Sequence, residues 1–369
     1  MINHKHSILT KIHKTLLGEP MSTVPESNGQ TIFVTGVNGH IGNQIVRDLL
    51  ENGYNVKGSV RDLNDDSKTA HVLQHAKDVG VENRLELVEG DILDADNWAE
   101  MISGCDSLFH TATIYSNTKD GQLIIDTALL GTTHLLTAAR DAGIKRVVYT
   151  SSVAAVGNTP KGRAKTEDDW QTERSSPYII AKTDSERKAW ELAKEFDIDL
   201  RVINPSAVIG GGFVNPTPSV DFFPDIVNGN VPIAPKIPLS IVHVKDVAIA
   251  HRRAYEVDEA AGRFILAPHN NLTLVDVCRT VKRLYPKSKA PKRGIPRSMM
   301  SLVVLFDWFN GLRGKKRYMT RKTVKGFFRG DSNMSSQKAT DVLGMNWISL
   351  DDSIKDTVDE FKSRSLVLP

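Results

Sequence analysis

The sequence predicts an α/β chain: a doubly wound parallel sheet followed by a smaller mixed region. Two observations carry this. From residue 31 to about Asn204, short β-branched runs alternate with stretches of helical apolar spacing, which implies parallel strands joined by right-handed crossovers. After Asn204 the alternation breaks down. Prolines and glycines cluster at Gly210–Gly212, Pro216, Pro218 and Pro224, and again at Pro232, Pro235 and Pro238.

The first strand is Thr31–Thr35 (TIFVT). After a glycine-rich turn, Ile41, Ile45, Val46, Leu49 and Leu50 recur at helical spacing, with Gly53 closing the helix. Asn55–Val60, Leu85–Val88 and Ser107–His110 read as the next three strands. Leu123–Ala142 reads as a helix and Arg146–Thr150 (RVVYT) as a fifth strand. Tyr178–Phe196 is a long helix and Leu200–Ile203 a sixth strand. Two further helical stretches, Thr273–Tyr285 and Leu350–Arg364, lie in the mixed region, and part of 240–270 is expected to return to the sheet.

Composition sets bounds on function. The chain has 369 residues, 40% hydrophobic and 25% charged, ordinary for one large or two moderate globular domains. Such a chain buries a core without a disulfide or metal staple. A net charge of +3 gives no case for nucleic acid or membrane as a partner over the whole surface. Cys105 and Cys278 are far apart and lack metal-ligand spacing, so free thiols in a reducing, cytoplasmic compartment are expected. No stretch approaches the roughly 20 apolar residues of a membrane span. In residues 1–30, Ile8, Leu9, Ile12, Leu16 and Leu17 sit at helix-like spacing among Lys5, Lys11 and Lys14. This extension reads as a short amphipathic helix, a surface anchor or a plain accessory tail, and it lacks a signal-peptide core and cleavage site.

Gly36, Gly39 and Gly42 lie in TGVNGHIG, directly between the first strand and the first helix. Glycines there permit a tight turn and close backbone approach to a pyrophosphate. The helix N-terminus, with His40 and Ile41, adds free N–H groups and a positive dipole. The sheet is therefore expected to be of Rossmann type, with a dinucleotide-binding unit over 31–205 and a substrate-binding or cap region over 206–369. The second strand ends Ser59-Val60-Arg61-Asp62. Val60 cannot accept a hydrogen bond from a ribose 2′-OH, whereas Arg61 can pair with a 2′-phosphate, which points to NADP(H). Lys68 adds a second positive charge, and Asp62, Asp65 and Asp66 dilute it. Asp91, in Gly90-Asp91-Ile92, either accepts from the adenine amino group or caps the next turn.

Ser151 and Ser152 end the fifth strand, while Tyr178 and Lys182 open the next long helix one turn apart. All three groups can meet at the carboxyl edge of a doubly wound sheet. Reduction of a carbonyl leaves an alkoxide that needs a proton. A phenol is a weak acid near neutrality until a neighbouring ammonium favours its phenolate. A serine hydroxyl holds and polarises the carbonyl oxygen.

TGVNGHIG, GDILD, FHTAT, TSSVAAVG, YIIAK and VHVKDVAIAH together resemble an extended short-chain dehydrogenase/reductase. VRD, EDDW and KTDSERKAW are similar to its dihydroflavonol-4-reductase-like and aldehyde/ketone reductase branch. The resemblance implies roles. Gly36, Gly39 and Gly42 hold the pyrophosphate, and Arg61 and Lys68 the 2′-phosphate. Asp91 and Ile92 flank the adenine, Thr111 and Ala112 line the cofactor channel, and Pro205 packs near the nicotinamide. Tyr178 is the acid/base, Lys182 holds the ribose and lowers the tyrosine pKa, and Ser152 orients the carbonyl. Two departures narrow the substrate. Plant flavonoid reductases carry a polar Asn where this chain has Gly157. Sugar-nucleotide dehydratases need Asp-Glu where it has Val153-Ala154. NADPH-dependent reduction of an aldehyde or ketone is thus expected, by a monomer or homodimer without nucleic acid or stable membrane insertion. A 3-beta-hydroxysteroid dehydrogenase or sugar-nucleotide epimerase is the alternative. His110 and His243 lack ligand companions and read as core or loop histidines. Met299–Phe309 reads as a cap helix over the substrate pocket, and the basic run Arg313–Lys325 as a solvated surface.

Overall fold

The computed structural model describes residues 24–113, 120–157, 162–174, 176–231, 233–295, 297–314, 317, 321 and 333–367. Most of the N-terminal extension and most of Arg313–Lys325 lie outside the described residues.

Seven strands form one sheet: β1 (Thr31–Thr35), β2 (Asn55–Val60), β3 (Leu85–Glu89), β4 (Ser107–His110), β5 (Arg146–Thr150), β6 (Asp199–Pro205) and β10 (Gly262–Leu266). Their order is β10-β6-β5-β4-β1-β2-β3, and every neighbouring pair is parallel. The chain reverses direction across the sheet between β1 and β4, which opens a crevice at their carboxyl ends.

Both faces of a parallel sheet must be covered, and alternate side chains of β1 show how. Ile32 and Val34 join one core with Ile45, Val46, Leu49 and Leu50 of α1 (His40–Glu51). Val72 and Ala76 of α2 (Asp66–Val79) and Val247 and Ala250 of α8 (Val244–Glu256) complete that core. Phe33 faces the other way, onto Trp98 of α3 (Trp98–Ile102), Leu135 of α4 (Gly121–Asp141) and Ala189 of α6 (Pro177–Phe196). Fully burying each such large apolar side chain contributes about 1.5–3 kcal/mol. The sequence reading passed over α2 because its pattern is thin: only Thr69, Val72 and Ala76 are buried. The first helix closes at Asn52, one residue before Gly53, whose φ is +85°.

Beyond β6 the short strands β7 (Ala207–Ile209), β9 (Pro238–His243) and β11 (His269–Thr273) make a second, mixed sheet. β9 pairs parallel with β7 and antiparallel with β11. β8 (Ala234–Pro235) and β12 (Gly294–Ile295) form a small parallel ladder. α7 (Phe223–Asn228), α9 (Leu274–Leu284) and α12 (Leu350–Ser363) close a third core around Phe213, Phe223, Cys278 and Phe361. Thr273 and Asp276 form a reciprocal capping box at the start of α9.

Candidate active site

The turn between β1 and α1 is shaped by its glycines. Gly36 has φ +66°, and a Cβ there would lie 3.0 Å from the Ala112 backbone. A Cβ on Gly42 would sit 2.3 Å from the Gly36 carbonyl oxygen. Helix and loop therefore approach as closely as only glycine permits. No acidic residue occupies the first turn of α1, so its free N–H groups and positive dipole end are left for an anion. The cradle is tied down from several sides. Thr35 Oγ1 accepts from the N–H groups of Thr111 and Ala112, both at 3.0 Å, locking β1 to the end of β4. Asn43 Nδ2 donates to the Gly39 carbonyl at 2.7 Å and to the Gly212 carbonyl at 2.9 Å.

The segment Gly210–Gly212, read from sequence only as a break, is part of this frame. Its three N–H groups donate to Thr357 Oγ1, Asp356 Oδ2 and Glu360 Oε2 of α12, at 2.8, 2.9 and 3.1 Å. The Gly211 carbonyl meets His40 Nε2 at 3.0 Å. Burial pushes the His40 imidazole down to about 4, so it stays neutral. His243 caps α8 through Nδ1, and its Nε2–H donates to Asp356 at 3.1 Å, which holds that carboxyl down at about 2. His110 meets Thr35 Oγ1 at 2.9 Å. Both histidines serve as internal hydrogen-bonding groups.

A cleft of about 700 Å³ opens over this edge of the sheet. Gly36, Gly39, His40, Ile41, Gly42, Arg61, Asp91, Ile92, Thr111, Ala112 and Pro205 line it, as do Ser152, Tyr178 and Lys182. The sequence-derived set thus converges, with one exception. Lys68 is not among the lining residues, and its Nζ pairs with Asp65 at 2.7 Å. Asp91 accepts from the Leu93 N–H at 3.0 Å, so it caps the local turn while also facing the cleft. No residue of α10 (Met300–Leu312) lines the cleft, so the described helix does not act as the expected cap. Its one charged residue, Asp307, is instead turned inward onto Arg317 at 3.1 Å.

The candidate reacting groups are positioned by local rules. Ser176 caps α6 by accepting from the Ile179 N–H, and Pro177 fills the first helical position. This places Tyr178 and then Lys182 in successive turns on the cleft. Gly121 lets α4 approach closely, since a Cβ there would lie 2.4 Å from Pro177 Cγ. Lys182 is buried and donates to the Thr150 carbonyl at 3.3 Å. Desolvation pushes its ammonium down to about 8, against the opposing pull of the Glu186 carboxylate. The two serines differ. Ser151 commits its hydroxyl proton to Glu186 Oε2 at 2.5 Å, whereas Ser152 Oγ accepts from the Ala154 N–H at 3.1 Å as the cap of α5 (Val153–Val156).

Sequence reasoning missed the buried network beneath them. Glu186 is fully buried and meets Arg263 Nε at 2.6 Å and Asn204 Nδ2 at 2.8 Å. Arg263 stacks on Trp170 at 4.0 Å. Glu186 lies one turn beyond Lys182 on the same helix, the only local signal that could have marked it. Gly157 also gains a reason. At φ +87° and ψ −166° it occupies backbone space reserved for glycine, and a Cβ would lie 2.6 Å from Gln171 Cα. An Asn side chain has no room there.

The model of the NAD dependent epimerase/dehydratase family matches residues 32–266. The chain belongs to that family. Within it, the chain is an extended short-chain dehydrogenase/reductase, and its relatives are oxidoreductases. It is 33% identical over 350 residues to cinnamoyl-CoA reductase CAD2 of Medicago truncatula, covering 91% of this chain and 97% of that one. It is 30% identical over 286 residues to a bifunctional dihydroflavonol 4-reductase/flavanone 4-reductase of Malus domestica, covering 72% and 80%. The yeast methylglyoxal/isovaleraldehyde reductase Gre2, solved with NADPH, superposes with a TM-score of 0.71 at 22% identity over 92% of this chain and 100% of that one. That likeness is one of fold. The chain is an NAD(P)-dependent reductase of this superfamily. Among the described residues, no helix is long and apolar enough to cross a membrane.

Proposed function

We propose that this chain reduces an aldehyde or ketone to an alcohol with NADPH, using Tyr178 as the proton donor. The observation that carries the reading is the convergence of Ser152, Tyr178 and Lys182 on the cleft that also holds the glycine cradle and Arg61. The cradle fits a dinucleotide pyrophosphate: two glycine positions would be filled by a Cβ, and no carboxylate competes at the helix start.

When bound, the nicotinamide supplies hydride to the carbonyl carbon. Ser152 holds the carbonyl oxygen, and Tyr178 gives that oxygen its proton. Lys182 favours the phenolate left on Tyr178 and, through its three N–H donors, positions a ribose. With a pKa near 8 it is still mostly charged at neutral pH. Arg61 is exposed at the cleft rim at the end of β2 and suits a 2′-phosphate, while Val60 beside it offers no acceptor for a ribose hydroxyl. The part of the cleft wall that comes from the chain after β6 includes Val208, Val214, Asn215, Thr217 and Ser219, none of them charged. That favours a neutral carbonyl compound. Cys105 and Cys278 are unpaired, and burial pushes their thiols up to about 11 and 12. They take no part in the chemistry and suit a reducing cytoplasm.

The test is NADPH oxidation against a carbonyl panel. Tyr178→Phe is expected to lose at least about a hundredfold in kcat, the lower range for acid–base catalysis. Undiminished turnover in that variant refutes the mechanism. NAD retained tightly through purification, with no preference for NADPH, supports an epimerase or hydroxysteroid dehydrogenase instead.

A further inference from the structure

Helix α10, Met300–Leu312, is built inside out. Its sequence, MSLVVLFDWFNGL, contains a single charged residue, Asp307. That residue is buried, at 8% exposure, and its carboxylate meets Arg317 Nε at 3.1 Å. The large apolar side chains point outward instead. Leu302, Leu305, Phe306, Trp308, Phe309 and Leu312 are between 45% and 66% exposed. Elsewhere the described residues show exposed large hydrophobics only as scattered individuals, the ordinary condition of a soluble surface. A water-facing helix normally presents the reverse pattern.

The patch continues beyond the helix. Met299 and Ile233, both about half exposed, share a shallow pocket with Lys292 and Arg293, just before β12. The charge along the adjoining sequence has one sign. Between Lys287 and Gly330 the sequence holds thirteen Lys and Arg residues and one acid, Asp307. This local excess far outweighs the whole chain's net +3. Lys292, Arg293, Arg313 and Arg321 are exposed, and the one acid is turned inward onto Arg317. The outward face of the helix therefore offers apolar side chains, with exposed cations before and after it in the chain.

We propose that this face docks peripherally on an anionic lipid surface, with the apolar side of α10 in the headgroup–acyl boundary and the flanking Lys and Arg on lipid phosphates and carboxylates. The chemistry matches an interfacial helix, which combines buried apolar area with attraction to anionic headgroups. A protein partner of the same size would have to supply both an apolar groove and a surrounding acidic rim. An anionic membrane supplies both at any point. Docking needs no membrane-spanning segment and leaves the cleft of the reductase, which α10 does not line, open to solvent.

The test uses the full chain and reads binding, not turnover. Vesicles of phosphatidylcholine with about 30% phosphatidylserine are expected to sediment the protein at low salt, and vesicles of phosphatidylcholine alone to do so far less. Each Lys or Arg near such a surface contributes about fivefold in partitioning. Lys292→Glu/Arg293→Glu is thus expected to lower binding by at least about 25-fold. Leu305→Ser/Phe306→Ser/Phe309→Ser is expected to abolish it while leaving carbonyl reduction in solution unchanged. Trp308 is a native probe. Vesicles with brominated acyl chains should quench its fluorescence, and Trp308→Phe should lose that component.

Failure of the unaltered chain to bind phosphatidylserine vesicles overturns the proposal. So does a dimer in sedimentation velocity that the triple serine variant converts to monomer without any vesicle binding, since the face then belongs to a second copy. Binding that appears only after removal of residues 1–23 overturns it too, because the N-terminal segment is then the occupant.

Discussion

Replacing Glu186 with Leu isolates the buried network behind the serine pair. The carboxylate is fully buried and accepts from Ser151 at 2.5 Å and Asn204 at 2.8 Å while pairing with Arg263 at 2.6 Å. Its removal leaves the Arg263 guanidinium, 5% exposed, without a counter-charge. Breaking a buried pair from one side costs about 3–5 kcal/mol. Arg263 keeps two carbonyl acceptors, Glu167 and Asp169, at 2.9 and 2.5 Å, and its stack on Trp170. The loss should therefore fall in the lower half of that range, about 3–4 kcal/mol. Measured as the free energy of urea unfolding, that is a large share of a typical stability of about 5–15 kcal/mol. The double variant Glu186→Leu/Arg263→Leu removes both charges and should recover at least about 2 kcal/mol of the loss. A single-variant loss under about 1 kcal/mol, or a double variant as unstable as the sum of its parts, refutes the reasoning. A second readout is independent of stability. The Glu186 carboxylate raises the Lys182 pKa. In Glu186→Gln the lysine sheds its proton at lower pH, so the alkaline limb of the kcat profile should move toward neutrality.

Two further outcomes follow from the same geometry. Arg61→Ala should raise the KM for NADPH by about 10- to 100-fold, the worth of a charge-assisted hydrogen bond, and leave the KM for NADH nearly unchanged. Equal effects on both cofactors would remove Arg61 from the 2′-phosphate. Histidines held neutral inside the fold contribute to acid sensitivity. Burial pushes His40 and His251 down to about 4 and His110 to about 3. Between their unfolded pKa and those values the unfolded chain binds protons that the folded chain does not, so stability falls as pH falls. The slope is about 1.4 kcal/mol per pH unit for each histidine. His251→Gln, which can keep the contacts to Thr150 and the Val247 carbonyl, should flatten the slope of the unfolding free energy by one proton's worth between about pH 6 and 4. An unchanged slope rules out His251 as one of its sources.

The parts of the fold legible in the sequence are those whose residues lie close together along it. Ile32 and Val34 alternate with Phe33 over two residues, and α1 repeats its apolar positions within four. Gly36, Gly39 and Gly42 fall inside a single turn, and Tyr178 and Lys182 sit one helical turn apart. Backbone geometry alone brings such groups together, so spacing was enough to find them. Arg61 reaches the cleft for the same reason, being the residue that directly follows β2. Spacing carries no information about competing partners, and for Lys68 there is one: Asp65, three residues earlier, caps α2 and pairs with the lysine at 2.7 Å.

What the tertiary structure alone decided is pairing across long separations. Nothing near Gly210–Gly212 announces that residues nearly 150 positions later, Asp356, Thr357 and Glu360, will hold its N–H groups and so brace the glycine turn through His40. Nothing near Glu186 announces Arg263, which arrives only because β10 returns to pair with β6 at the sheet edge. The apolar run after Met299 was read as a lid because composition marks a segment as hydrophobic without saying which way it faces. The structure shows that direction: Asp307, the helix's one charge, is buried and pairs with the partly exposed Arg317 ten residues on, while Leu305, Phe306, Trp308 and Phe309 face outward.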